Sequence, residues 1–374
     1  TASNNTAIGH NTLNQNTTGT QNVAVGSSAL DANTTGQYNT ALGFEALGSN
    51  TTASNNVALG RAALFSNTTG ANNVAVGRQA LYSNSTGYDN TAIGELAMDA
   101  NTTGVYNSAL GSGSLGANTT GVQNTAIGTF ALHNNQTGMN NTALGYSALL
   151  NNTGSGNVAI GSFCLDANTS GGSNVAVGQN ALTANTTAST NTAVGQSALA
   201  ANTTGTDNVA VGAYALDANT TASSNTAVGD NAGGKITTGT QNVMIGRSAG
   251  KEATTVNDVT YVGDRAGDSN IGSQNTGIGG RALSAGSGTG SNNTAVGFFS
   301  QYSGNDGQYN VSMGNYSLEK QTSGNYNVAI GYEAGEETTS GDSNTWVGGL
   351  AGAACTTGSN NVGIGRSALI QNTT

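Results

Sequence analysis

The chain is 374 residues long, with 7% charged and 5% aromatic residues, 57 glycines, no proline and a formal net charge of −10. So few ionisable groups leave no basic stripe for nucleic acid and no polybasic patch for a membrane surface. No run approaches the ~20 apolar residues of a membrane span, and the first residues show no charged-then-apolar leader pattern.

From the start the chain repeats one phrase. Asn5-Thr6-Ala7-Ile8-Gly9 opens it, Asn22-Val23-Ala24-Val25-Gly26 follows, and Asn361-Val362-Gly363-Ile364-Gly365 closes it, with 22 copies in all. The closing glycines are spaced by 17 residues, broken only at 145 to 161, 263 to 279 and 279 to 297. A fixed short period predicts a solenoid, one long repetitive element in place of several globular domains. Thr1 and Thr374 stand in equivalent turn positions, which reads as a piece of a longer repetitive protein.

Within each copy, strand alternation puts the residue before the glycine on the same face as the Thr or Val two positions earlier, and the residue between them on the other face. The residue before the glycine is Ile, Val, Leu or Met throughout and is expected in the core. The one between is Ala in 16 of 22 copies, a smallness an open solvent face does not require. It faces solvent, a neighbouring turn, or another chain packed closely against it. A thin repeat commonly needs a partner to bury enough area, so Ala7, Ala24, Ala41, Ala58, Ala75, Ala92, Ala126 and Ala176 are the candidates for inter-chain packing.

Further along each copy, Ala29-Leu30 and its equivalents supply one Leu to meet that aliphatic, in a short strand or an irregular turn. Asn-Thr-Thr-Gly, as at Asn67-Thr68-Thr69-Gly70, carries turn chemistry, since Asn tolerates left-handed angles and Gly adopts positive φ freely. Asn precedes the strand in 21 of 22 copies, Val259 being the exception. Stacked, these amides predict an axial hydrogen-bonded ladder, and the absence of proline suits a chain whose strands all pair.

Near residue 230 the repeat changes subtype. Residues 1–229 are regular Ala-Leu coils. In 230–374 Leu often gives way to Gly, as at Gly233, Gly250, Gly267, Gly335 and Gly352, and charges become denser. The turn also dissolves at Ala285-Gly286-Ser287-Gly288 and Gly304-Asn305-Asp306-Gly307.

Little in the chain points to catalysis. His10 and His133 sit seven copies apart in variable positions, and no serine has a histidine partner at a repeat-compatible distance. Asp31, Asp99, Asp166 and Asp217 recur five residues after the glycine and are too far apart to form an acid/base pair. Glu333, Glu336, Glu337 and Asp342 make the most acidic coil, a candidate cation site without the pattern of calcium-binding repeats. Cys164 and Cys355 lie eleven coils apart, roughly 50 Å at ~4.8 Å per coil, beyond disulfide reach. Tyr261 and Trp346 replace the usual Ala and are candidates either for ligand contact or for filling an irregular core. The Asn-Thr-Thr motifs at Asn16, Asn33, Asn50 and Asn67 are also glycosylation sequons. Their threonine rows raise ice binding as a minor alternative. No enzyme activity, cofactor or metal is expected.

The Asn-Thr/Val-Ala-Ile/Val-Gly phrase resembles the head repeats of trimeric autotransporter adhesins. It resembles still more the 17-residue repeats of phage tail fibres, and the resemblance covers every copy. It implies an all-β fold, a left-handed parallel β-roll of 22 coils assembled as an intertwined or side-by-side homotrimer. The expected role is the non-enzymatic shaft of a virion or extracellular fibre that presents a receptor-binding or adhesive tip. The alternative is a bacterial surface adhesin head. The partners expected are further copies of the chain and a cell-surface receptor or glycan, engaged through regions outside this chain.

Overall fold

The computed structural model describes residues 2–284, 286, 288–303 and 306–373. Of the two departing turns noted above, Ala285, Ser287, Gly304 and Asn305 lie outside the described residues. All regular secondary structure among the described residues is β. The chain divides into two compact units, Thr1–Ser189 and Thr190–Thr374. The change of repeat subtype near residue 230 falls inside the second.

Each unit is a parallel β-solenoid of 17-residue coils. The first contains eleven three-residue strands, β1 (Thr6–Ile8) to β11 (Val175–Val177), and the second eleven more, β12 (Thr192–Val194) to β22 (Val362–Ile364). Within a unit each strand pairs in parallel with the equivalent strand one coil on. Thr6 faces Val23 and Ala7 faces Ala24 in the first unit, and Val209 faces Thr226 in the second. Because the copies repeat in sequence, this register places like residue on like residue.

Three residues are a short strand, but axial pairing runs well beyond them. In the third coil Thr40 N–H donates to the Asn56 carbonyl at 2.8 Å, Gly43 to Val25 at 2.9 Å, Glu45 to Ser27 at 3.0 Å, Leu47 to Ala63 at 3.0 Å and Ser49 to Phe65 at 3.0 Å. The Ala-Leu segment is therefore an irregular turn that still pairs along the axis. It curls by alternating hand: Glu45 and Leu47 have φ of 56° and 53°, and their equivalents Ser28 and Leu30 have 55° and 51°. Left-handed leucine costs roughly 1–2 kcal/mol, which its complete burial offsets.

The closing glycine is the position where backbone freedom is required. Gly26 has φ of 138°, and a side chain there would collide with the carbonyl of Gly43 one coil on. The positive φ expected in the Asn-Thr-Thr-Gly block is instead found at this glycine, at the Ser28 and Leu30 positions and just before the strand asparagine, as at Gln21 and Tyr38.

Two asparagine columns run through the coils. In the first, which the sequence led us to expect, Asn39 N–H donates to Asn22 Oδ1 at 2.9 Å and Asn39 Nδ2 reaches across the coil to the Ala53 carbonyl at 2.9 Å. At Val259 the backbone N–H still donates to Asn242 Oδ1 at 3.1 Å, but no amide continues the column. The second column is formed by the turn asparagines. Asn50 Nδ2 donates to Asn33 Oδ1 at 2.9 Å and to the Ala53 carbonyl at 3.0 Å. It extends in the second unit to Asn219, after which buried Ile236 and Ala253 take its place.

The core reverses one expectation. In every strand but the first, the middle residue is buried while its two neighbours are exposed or half-buried. Ala24, Ala29 and Leu30 are fully buried, whereas Leu42, Leu59 and Leu110 are 45%, 41% and 48% exposed. The aliphatic before the glycine therefore points outward. The reason is volume: Leu from the opposite wall and the two asparagine columns occupy the narrow interior, leaving room at the strand for a methyl group.

Replacing Gly94, in the middle of the first unit with φ of 140°, by Ala is expected to cost at least the ~1–3 kcal/mol of a forced backbone conformation. The drop in urea midpoint followed by circular dichroism measures it. Ala71→Ser, at a half-buried turn position, should leave the midpoint unchanged.

Candidate functional site

The inward direction of the middle residue relocates the candidate contacts. Ala24, Ala41, Ala58, Ala75, Ala92, Ala126 and Ala176 are fully buried within their own chain, and only Ala7, in the first coil, is exposed. Their smallness answers to the coil's own interior, so they are not a surface for another chain. Tyr261 and Trp346 are likewise fully buried, which removes both as ligand contacts.

What accommodates these large side chains is a loss of volume opposite them. Met244, Tyr261 and Trp346 stand where Ala is usual, and the coils around them carry Gly in place of the core Leu. A side chain on Gly233 would lie 2.7 Å from Met244 Cε, and one on Gly335 would lie 2.6 Å from Trp346 Cδ1. Gly250 and Gly267 bracket Tyr261 in the same way, and Gly352 would collide with the Trp346 ring. Trp346 thus fills a cluster with Leu318, Ala329, Ala334, Ala351 and Cys355. In the sequence the Leu-to-Gly changes and the aromatics stand as separate features. Their pairing was visible one coil apart, because each large residue has Gly in its own coil and in the preceding one.

The surface that remains is the outer face of the strands. Two columns run along each unit, one of Thr, Val or Ser and one of Ile, Val, Leu or Met, and neither contains a charged residue. Exposure is substantial in both units, as at Ile93, Leu144, Ile278 and Met313. One column is apolar throughout and the other mixes Val with hydroxyl residues, and an exposed apolar row of this kind marks a candidate interaction surface.

Polar groups elsewhere are mostly committed to the fold. Asn33, Asn50 and Asn67 are fully buried with their amides hydrogen-bonded, which leaves no folded-state access for a glycan at these sequons. The turn threonines bond axially, Thr34 Oγ1 to the Thr51 carbonyl at 3.0 Å and Thr51 Oγ1 to Thr68 at 3.1 Å, so these hydroxyls do not form a free row. A ring nitrogen of His133 donates to the Gly113 carbonyl at 2.7 Å, and the ring packs edge-on against Phe130. Asp166 accepts from Thr183 Oγ1 at 2.7 Å, while burial raises the carboxyls of Asp99 and Asp217 above the usual range.

The acidic coil does not assemble a ligand set. Glu337 pairs with Lys320, and Asp342 accepts the Asn325 N–H at 2.7 Å. Among the described residues no three of His, Cys, Asp and Glu come together as metal ligands. Exposed ion pairs one coil apart also join Arg78 to Glu95, Lys235 to Glu252 and Arg247 to Asp264. Exposed pairs of this type typically contribute little to stability. No helix among the described residues is long and apolar enough to cross a membrane.

Both cysteines are buried free thiols. Cys164 Sγ donates to the Ala176 carbonyl at 3.2 Å, and burial pushes its thiol up to about 12. Burial also raises Cys355.

Trp346→Ala is expected to lower stability by about 3–5 kcal/mol through the cavity it leaves. Adding Gly352→Leu should restore part of that loss, because Leu already occupies the equivalent left-handed position in other coils. Denaturant midpoints of the two single variants and the double variant test the coupling, and additive effects would contradict it. Cys164 should resist a disulfide-exchange reagent at pH 8, where a pKa of about 12 leaves a thiolate fraction on the order of 10⁻⁴. Its labelling should follow unfolding, which thiol titration across a urea series reads directly.

Compared with models of known protein families and with curated proteins, the chain matches none.

Proposed function

We propose that this chain is a structural shaft segment of an extracellular or virion fibre, held together by copies of itself packed through the outer strand face. The observation that carries this reading is the uncharged two-column stripe of β-branched and aliphatic side chains, one row per coil. Burying Val, Leu or Ile fully is worth about 1.5–3 kcal/mol each, and eleven strands per unit repeat the contact at every level. Its occupant must present matching rows at the same axial repeat. A second copy of this chain has that repeat by construction of its sequence, whereas an unrelated globular partner would match a few rows at most.

The resemblance to phage tail-fibre repeats favours three copies and a role holding a receptor-binding tip at a distance. It makes the Thr/Val and Ile/Val/Leu columns, in place of the alanines, the contact between chains. The axial hydrogen bonding within each unit supports a mechanical role, since among the described residues it ties each coil to the next. The carboxylates and histidines are separated or engaged in structural bonds, which suits a non-catalytic part.

Sedimentation equilibrium tests the proposal. The expected mass is about three times the 36.8 kDa of one chain. Val76→Lys combined with Ile93→Lys, both on the outer face, should reduce it to one chain without loss of β signal in circular dichroism. A wild-type chain that sediments as a folded monomer would overturn the reading.

A further inference from the structure

One group of exposed side chains is not accounted for by the shaft. In the second unit, Phe298 and Phe299 directly follow the closing Gly297, Tyr316 lies one coil on and Tyr332 one coil further. Ring centroids are 5.9 Å apart for Phe298 and Tyr316, 5.8 Å for Phe299 and Tyr316, and 6.2 Å for Tyr316 and Tyr332. Phe298 is 44% exposed and Tyr332 54%. Arg281 stands 5.4 Å from the Phe299 centroid.

The fold does not require aromatic rings at these positions. Their equivalents are Ser27-Ser28, Arg78-Gln79 and Gln196-Ser197 in other coils. Nor do the rings fill the interior of their own coils, which is polar: Ser300 Oγ bonds Ser312 Oγ at 2.7 Å and Ser317 Oγ at 2.9 Å. The cluster is therefore a partly exposed group of rings, edge to face at Phe298–Tyr316 and Tyr316–Tyr332 and stacked at Phe299–Tyr316, with Phe298 and Tyr332 open to solvent, and clustered exposed apolar groups mark binding surfaces.

We propose that Phe298, Phe299, Tyr316 and Tyr332 form a docking platform for a neutral glycan chain. Sugar rings present apolar C–H faces that stack on aromatic rings, and their hydroxyl edges need hydrogen-bonding groups beside the stack. Such groups are present. Glu333 directly follows Tyr332 in the chain, and Asn315, which accepts the Phe298 N–H at 3.0 Å, borders the rings. Rings on three successive coils, with centroids 5.9 and 6.2 Å apart from coil to coil, give a spacing comparable to one sugar unit, and this suits an extended polymer lying along the coils.

Charge selects against the other polymer that stacks on aromatics. Single-stranded nucleic acid needs a positively charged groove beside its stacking rings. These coils instead carry Glu319, Glu333, Glu336 and Glu337, and the whole chain has a net charge of −10. An uncharged polysaccharide meets no such repulsion. The ring residues are not those of the two strand columns, so the failure of glycan binding and the failure of self-association are separable by variants at one set or the other.

Affinity electrophoresis of the full chain through gels containing hydroxyethyl cellulose, mannan or xyloglucan tests the platform, with fluorescence anisotropy of a labelled oligothymidylate as the nucleic-acid comparison. At least one polysaccharide should retard the chain. Phe298→Ser with Tyr332→Ser should weaken that retardation about tenfold or more, with melting and sedimentation mass unchanged. Tyr332→Ser alone should give an intermediate loss, and Tyr38→Ser, at an exposed ring in the first unit, should give none. The proposal is overturned by retardation in none of the gels, by equal retardation of the double variant, by binding of the oligothymidylate instead, or by a double variant whose main defect is loss of self-association.

Discussion

The structure depends on the axial hydrogen bond from each coil to the next. A buried or half-buried backbone must pair its N–H and C=O groups, and a coil this small has no second layer to pair with. Besides a few turn bonds within the coil and the asparagine side chains, its partners are its neighbours along the axis, so equivalent positions must meet equivalent positions. That requirement sets the 17-residue period and spreads pairing from the three-residue strands into the irregular turns. It also explains two local costs. The closing glycine adopts a backbone angle closed to other residues, and each core leucine adopts a left-handed one, because only that curl returns the chain to the next strand in register. The asparagine columns follow from the same condition, since they satisfy backbone groups at the corners where the peptide ladder alone does not reach.

A narrow interior is the second consequence. Between the strand and the opposite wall there is room for one methyl and one leucine, and each departure in the second unit conserves that volume. Met244, Tyr261 and Trp346 enlarge the strand side where Gly233, Gly250, Gly267, Gly335 and Gly352 vacate the other. The exchange is imperfect for Trp346, whose indole N–H finds no acceptor among the described residues. Coils around Ser300, Ser312 and Ser317 take a different course and fill the space with hydroxyl hydrogen bonds. Such a core buries little apolar surface per residue, and stability accumulates through the stacking of many coils.

The outward faces are then free to carry interactions. The strand presents its larger side chains to solvent because its interior side is full, and this inversion turns residues that look like core into an exposed surface. Charged groups pair one coil apart, carboxylates are spread or engaged, and the aromatic cluster of the later coils stands apart from both columns. The proposed self-association and the proposed ligand contact therefore draw on different residues of the same coil.

Much of the fold was legible in the residues themselves. The fixed period determined a stacked solenoid, and the alternation within each Asn-Thr/Val-Ala-Ile/Val-Gly phrase, with its resemblance to known β-roll repeats, pointed to strands as the stacked unit. The amide column before each strand was legible for the same reason. Tertiary structure decided which face of the strand is inside. Alternation separates Ala24 from Val23 and Val25 but carries no measure of the interior volume, and that volume is set by leucines and asparagines from elsewhere in the coil. The same limit hid the second asparagine column and the pairing of Trp346 with its glycines. It also led to the expectation of an outward face at alanines whose side chains in fact point inward, while the flanking valines, leucines and isoleucines point outward.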